Sequence, residues 1–296
     1  MSKLSIFWHM IIKVSNQESL EQAILSVNSL QGLYDGMVIG VDEGAGSDEL
    51  YEVLSHYPNM HLFRLHFIDF AQAMQEVLDT VPHCDYVGRS DGDEVLTTDP
   101  YVIRKWLADT RPEAVNCATH YLYTIGWCKG GETYRHESVR IWKYGTRYWG
   151  NPVHQYPYIV DPNGIDAPIE ADITFNHIKK VDPLSMTDLN IRLMQRELDN
   201  GNWSYLWYMA KEYTVRGDVE KAVSLCFEYL NREEIENEEH FRRALWGMSE
   251  LHKQEGDIGG LLIKLNDLRE VTNNHPILLE YIDLAKQLKK EAVDAA

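Results

Sequence analysis

Two carboxylates one residue apart, Asp91 and Asp93 in Ser90-Asp91-Gly92-Asp93-Glu94, follow the apolar run Tyr86-Val87-Gly88. Oxygens at that spacing beyond a buried strand form a hard site suited to Mg²⁺ or Mn²⁺ carrying substrate phosphates. In open α/β sheets, ligands bind outside the carboxyl ends of the strands, where this cluster is expected to sit. An Asp-x-Asp triplet is a weak signal alone, and the surrounding segments decide its meaning.

A second chemistry-bearing stretch is aromatic and basic. Residues 121–158 hold Tyr121, Tyr123, Trp127, Tyr134, Trp142, Tyr144, Tyr148, Trp149, Tyr156 and Tyr158. Flat aromatic faces suit sugar rings, peptide side chains or unstacked bases, and alternate ones can equally line a sheet core. Trp127 and Trp149, beside glycines in expected loops, are the choices for acceptor contact. Lys129, Arg135, Arg140, Lys143 and Arg147 cluster in the same stretch. Arg140 is a natural phosphate clamp, because its fork donates two parallel hydrogen bonds. A solvated strand face is the plainer account of these cations.

The elements that must position these groups alternate. Leu4 to Ile12 reads as a strand, and Ser19 to Leu30 as a helix with apolar residues at helical spacing and Ser19 as N-cap. Gly36 to Val41 is a short buried strand ending at Asp42, and Glu49 to Tyr57 is a helix. His61 to Leu65 is a strand, Phe70 to Leu78 a helix, and Asp85 to Gly88 the strand before the acidic cluster. Strands spaced by helices imply a mostly parallel sheet with right-handed crossovers. After Pro112, Val115 to Thr124, Ser138 to Tyr144 and Tyr148 to Tyr158 are strand-like. From Thr187 onward the period is helical.

The expected division is a first domain over 1–182 and a helical domain over 183–296. Within the latter, Leu206, Met209, Ala210, Tyr213, Gly217, Ala222 and Tyr229 follow tetratricopeptide spacing. A second unit around Leu245, Met248, Gly256-Asp257 and Leu268 is shifted by 39 residues. Two units are fewer than a free-standing solenoid needs, so this region should pack on the first domain, on itself, or on a second subunit of a homo-oligomer.

Composition bounds the partners. The formal net charge is −18 over 296 residues. Lys and Arg number 4 against 16 Asp and Glu in residues 1–100, 10 against 8 in 101–180, and 14 against 22 in 181–296. Such a body disfavours non-specific adhesion to nucleic acid or anionic lipid, and only the middle third would welcome an anionic substrate. No apolar stretch approaches the roughly 20 residues of a membrane span. The start lacks a secretory signal pattern, and Cys84, Cys117, Cys128 and Cys226 form no C-x-x-C pair. Free thiols and a cytoplasmic address are therefore expected.

Four segments line up with these elements: Ile11-Ile12-Lys13-Val14-Ser15-Asn16, Val41-Asp42-Glu43-Gly44, Asp69-Phe70-Ala71 and Asp91-Gly92-Asp93-Glu94. With Asn151-Pro152-Val153-His154, His177 and the helical tail, the chain resembles the family 2 glycosyltransferases of GT-A fold that carry C-terminal repeats. The resemblance implies a three-layer α/β/α GT-A domain followed by an all-α tetratricopeptide-like region. It also implies a metal-dependent, inverting transfer from a nucleotide-diphosphate sugar, with a UDP-sugar the favoured donor. Asp42 would accept from the nucleobase, Asp91 would touch the ribose or sugar, and Asp93 would hold the divalent metal on the diphosphate. Lys13 and Ser15 would contact the donor. His177 would complete the metal shell or meet the diphosphate, and His154 would lie on the acceptor side.

Departures from the family pattern matter as well. The compact Lys-Asn-Glu after strand one is spread over Lys13 to Glu18, and Ala-Arg-Asn becomes Ala73-Met74-Gln75. The usual His-Glu becomes His154-Gln155, and a glutamine cannot take a proton from an acceptor hydroxyl. Glu137, Asp172 and Glu94 are the candidate bases. The acceptor, whether protein, glycan or modified nucleic acid, stays open, although the net charge disfavours DNA. The alternative is a non-catalytic binding or scaffold protein on a decayed transferase fold. A nucleotidyltransferase would carry a glycine-rich basic loop after strand one, which Lys13-Val14-Ser15-Asn16 is not.

Overall fold

The structure, a computed structural model, describes residues 4–42, 46–121, 134–153, 156–164, 166–178, 187–230, 242, 245–249, 252, 256–271 and 276–294. These residues fall into two compact units, one holding every strand and the first four helices, the other the remaining helices.

In the first unit, β1 (Ile6–Lys13) is almost wholly buried along its length, as a central strand covered on both faces must be. β2 (Gly36–Asp42) and β4 (Tyr86–Arg89) are similarly apolar and buried, and β3 (Met60–Leu65) is the more exposed outer strand. With β5 (Glu94–Leu96), β6 (Ala114–Tyr121), β7 (Tyr134–Lys143) and β10 (Ile169–His177), they form an eight-stranded sheet of order β3-β2-β1-β4-β7-β6-β10-β5. β1 to β4 run parallel, β7 is antiparallel to both β4 and β6, and β10 is parallel to β6. β8 (Arg147–Gly150) and β9 (Tyr156–Ile159) make a separate antiparallel pair, where the sequence reads one continuous segment.

Helices cover both faces, giving the expected three-layer α/β domain. Leu20, Ala23 and Val27 of α1 (Gln17–Ser29), Leu50 and Leu54 of α2 (Ser47–Ser55), and Ile103 and Leu107 of α4 (Pro100–Thr110) share one core layer. Ala73, Met74 and Val77 of α3 (Phe70–Asp79) share the other with Trp142 and Trp149. Gly88 is dictated by packing, because the Trp8 indole lies 2.1 Å from where a Cβ would sit.

Two details differ from the sequence reading. The N-cap of α1 is Asn16, whose Oδ1 accepts from the Ser19 amide at 2.9 Å. Ser19 sits at the third helical position and its Oγ accepts from the Asn16 amide, completing a capping box. α4 and β10 are unforeseen, although Asp99-Pro100 is a regular helix-start signal: the Asp99 carboxylate accepts from the Tyr101 amide at 2.8 Å and proline stands first in the helix. Cys84, Cys117 and Cys226 are free and buried, and Cys128 lies outside the described residues.

The second unit contains α5 (Thr187–Asp199), α6 (Tyr205–Val215), α7 (Val219–Leu230), α8 (Ile258–Val271) and α9 (Pro276–Asp294). Gly217 precedes α7 with φ +77° and Gly256 precedes α8 with φ +73°, a left-handed backbone that glycine adopts without strain. The next residue caps in each case. The Asp218 carboxylate accepts from the Lys221 amide at 3.1 Å, and Asp257 from the Gly260 amide at 2.8 Å. No helix among the described residues is long and apolar enough to cross a membrane.

Candidate donor and metal site

Strand order locates the site. From β1 the chain steps outward through α1 to β2 and through α2 to β3, then returns by α3 on the opposite face to place β4 on the other side of β1. Between β1 and β4 the winding reverses, and in open α/β sheets the crevice at such a reversal receives ligands. The Asp91–Asp93 loop leaves β4 at that point. Gly92 lets the loop press on the end of β1, since a Cβ there would stand 3.0 Å from Ile12 Cγ1.

Several expected ligand residues converge here. Lys13 and Asp42 are paired in the parallel register of β1 and β2, and Lys13 Nζ donates to Asp42 Oδ2 at 2.8 Å. Ser15 is exposed in the turn between β1 and α1, where its amide donates to Ser19 Oγ at 2.9 Å. Asp91 is partly exposed, and its Oδ1 accepts from Arg89 Nη1 at 3.2 Å.

His177 reaches the loop because β10 pairs with β5, setting His177 opposite Glu94. The Ile178 amide then donates to the Asp93 carbonyl at 2.9 Å, and His177 Nε2 lies 3.5 Å from Asp93 Oδ1. Burial alone would lower the His177 pKa, yet Asp93, and behind it Glu94 and Asp91, outweigh burial and raise it. The Tyr121 ring packs at 4.9 Å from the imidazole.

Other expectations are corrected by burial. Arg140 is 1% exposed and donates to both oxygens of Glu94 at 2.6 and 2.8 Å, and to Thr119 Oγ1 at 2.8 Å. Its fork is occupied by a protein carboxylate and is not presented to a phosphate. β7 is a central strand between β4 and β6 on which Val139, Ile141 and Trp142 are all buried, so either face is core. Arg140 is also the unpaired residue of a β-bulge, with Ile141 opposite Val115 and Val139 opposite Asn116. Glu94 is fully buried by the same pairing and is not placed to take a proton from an acceptor. Trp149, expected at the acceptor, is 5% exposed and belongs to the core.

The two remaining candidate bases do not join the cluster. Glu137 is ion-paired with Arg135 at 2.7 Å on β7. Asp172 is exposed on β10, five residues from His177, or about 16 Å along an extended strand and on the opposite face. Trp127 and His154 lie outside the described residues.

Sequence reasoning missed His9 and Arg89. His9 is fully buried in β1 between Trp142 and Trp149, at ring distances of 5.6 and 5.9 Å. Its Nδ1 donates to the Gly88 carbonyl at 2.9 Å, and its Nε2 accepts from Trp149 Nε1 at 3.1 Å, which fixes the neutral tautomer. An imidazole inside an otherwise apolar strand was the available signal. Arg89 is buried one residue before the acidic loop, with its guanidinium 5.2 Å from the Trp149 ring centre.

His9 makes the fold acid-sensitive. Burial, opposed by its bond to Gly88 and assisted by Arg89, lowers its pKa to about 3. The unfolded chain binds that proton below pH ~6.5 and the folded one does not until about pH 3. Stability therefore falls by about 1.4 kcal/mol per pH unit as the pH drops through this window. Urea unfolding of His9→Gln, which keeps a donor and an acceptor, should show a slope with pH shallower by that amount. An unchanged slope would refute the assignment.

The described residues include no group of three His, Cys, Asp or Glu placed to hold a metal ion. Asp93 nevertheless offers one carboxylate of the kind Mg²⁺ or Mn²⁺ takes, with phosphate oxygens and water completing the shell. The imidazole of His177 beside it is a softer nitrogen donor that would ligate only when neutral.

No family model and no curated protein matches the chain. Among solved structures it is similar to S. aureus TarS 1–349, with 8% identity and a TM-score of 0.42 over 96% of this chain and 91% of that one. A longer S. aureus TarS chain gives 8% identity and 0.43, covering 96% of this chain and 55% of that one. The 4-diphosphocytidyl-2C-methyl-D-erythritol synthase of Anaerococcus prevotii gives 12% and 0.33, covering 48% and 71%. Similarities of this size do not bear on activity, which rests on the residues themselves.

Proposed function

We propose that the chain is a transferase acting on a nucleotide-diphosphate sugar, and specifically a glycosyltransferase assisted by Mn²⁺ or Mg²⁺. The observation that carries this reading is the meeting of Asp93 with His177 beside Asp91, at the reversal of strand order and next to the Lys13–Asp42 pair. Asp42, 15% exposed at its side chain, is positioned to accept from a base or ribose, and the exposed Lys13 supplies positive charge toward a diphosphate. Asp93 and His177 would hold the cation, which neutralises charge on the departing diphosphate. Asp91, fixed from behind by Arg89, keeps an acceptor oxygen available for a sugar or ribose hydroxyl.

The acceptor side is thinner, because Glu137, Asp172 and Glu94 are each paired or remote from Asp93. That observation keeps a second reading in play, a donor-binding scaffold without turnover. Thermal-shift screening of uridine, guanosine, adenosine and cytidine diphosphates and their sugars, with and without Mn²⁺, tests the first half of the proposal. Binding at 100 times Kd should stabilise the fold by about 2.7 kcal/mol. Metal-dependent stabilisation by one nucleotide supports the site, and turnover of its sugar by mass spectrometry separates enzyme from scaffold. No response to any nucleotide would overturn both.

A further inference from the structure

Arg89 is a charged side chain that the proposed chemistry does not use directly, yet it is only 6% exposed. β1 and β4 set it opposite His9 in parallel register. Its guanidinium faces the Trp149 ring at 5.2 Å, and that ring is itself held, through its bond to His9 at 3.1 Å and the bond of His9 to the Gly88 carbonyl at 2.9 Å. Trp149 is further fixed by its amide, which donates to Gln75 Oε1 at 2.7 Å. The far end of Arg89 reaches forward to Asp91 Oδ1 at 3.2 Å. Its Nε is buried with no hydrogen-bond partner among the described residues, so the contact to Asp91 is the polar anchor of the fork.

Burying a guanidinium this deeply beside a second one, Arg140, is unfavourable unless something repays it. A purely structural role would be served by an apolar residue of similar volume under Trp149. What the charge adds is a fixed orientation for the Asp91 carboxylate, held through its Oδ1. We propose that Arg89 is a positioning residue, braced by Trp149 and His9, that presets Asp91 for the donor's hydroxyl groups. The proposal rests on the donor-site reading above and deepens it: Trp149, expected from the sequence to touch an acceptor, would act on the donor through Arg89.

A double-mutant cycle tests it. Calorimetric titration with Mn²⁺ and whichever of uridine, guanosine, adenosine or cytidine diphosphate stabilises the parent chain is run on the parent, Arg89→Met, Asp91→Asn and the double variant. Outer-shell groups of this kind typically change affinity by about 10- to 100-fold. Each single variant should weaken binding by such a factor, and the double variant should be no weaker than Asp91→Asn alone, because Arg89 acts through Asp91. Full binding by Arg89→Met, or losses that multiply in the double variant, would overturn the inference while leaving the donor site standing. Absence of binding by the parent chain overturns the donor reading, and this inference with it. Should Arg89→Met not fold, Arg89→Lys, which keeps the charge and loses the fork, is read by the same cycle.

Discussion

Asp93→Ala is expected to abolish metal-dependent turnover while the protein stays folded. The reason lies in which atoms of Asp93 do what. Its backbone carbonyl receives the Ile178 amide at 2.9 Å and so joins the acidic loop to the end of β10, a bond that any residue can make. Its carboxylate, 24% exposed, instead faces His177 at 3.5 Å and the crevice. Removing a partly exposed carboxylate should change stability by no more than about 1 kcal/mol. Removing electrostatic stabilisation of the leaving diphosphate should lower turnover about 10²- to 10³-fold or more. Parallel measurement of donor hydrolysis against Mn²⁺ concentration and of urea unfolding separates the two effects. A variant that unfolds, or one that turns over normally, would each remove Asp93 from the proposed role.

Breaking the Glu94–Arg140 pair should do the opposite, with a large loss of stability. Both groups are fully buried, joined by two short hydrogen bonds, with Thr119 holding the guanidinium as well. Burial by itself would lower the Arg140 pKa, but the adjacent Glu94 carboxylate prevails and keeps the guanidinium charged. Truncating one partner leaves an uncompensated charge inside the fold, at a cost of about 3–5 kcal/mol. Arg140→Met and Glu94→Gln should therefore each shift the urea midpoint strongly, whereas a paired apolar replacement such as Glu94→Leu with Arg140→Met should recover much of the loss. The singles should differ in ligand binding. Glu94 Oε2 also accepts the Asp91 amide at 2.9 Å, so its loss loosens the acidic loop. Arg140→Met should retain donor affinity in its folded fraction. A tenfold or greater loss of affinity there, without loss of stability, would restore the phosphate-clamp role that the sequence suggests.

Arg140 also shows why some of the site was illegible. An arginine in a basic, aromatic stretch looks like a phosphate ligand, and only its place on a central strand with both faces covered, against the buried Glu94, turns it inward. Trp149 followed the same course: its neighbouring glycine signalled a loop, but β8 packs the indole against His9 and Trp142. Glu137 and Asp172 have suitable chemistry, and the registers of β7 and β10 place neither beside Asp93.

What the sequence determined by itself is the alternating strand and helix order from β1 to β4, the helical period of the second unit, and the acidic loop after a buried strand. Those features follow from local spacing: apolar residues at strand or helix intervals, glycines where the backbone is left-handed, and carboxylates at a strand end. The tertiary structure alone decided that β4 lies beside β1, and that β10 returns to set His177 against Asp93 across 84 positions of chain. It also decided that Arg89, and not Arg140, lies behind Asp91. Strand order, register and bulges arise from long-range pairing, whose outcome depends on the whole core and not on the residues flanking each site.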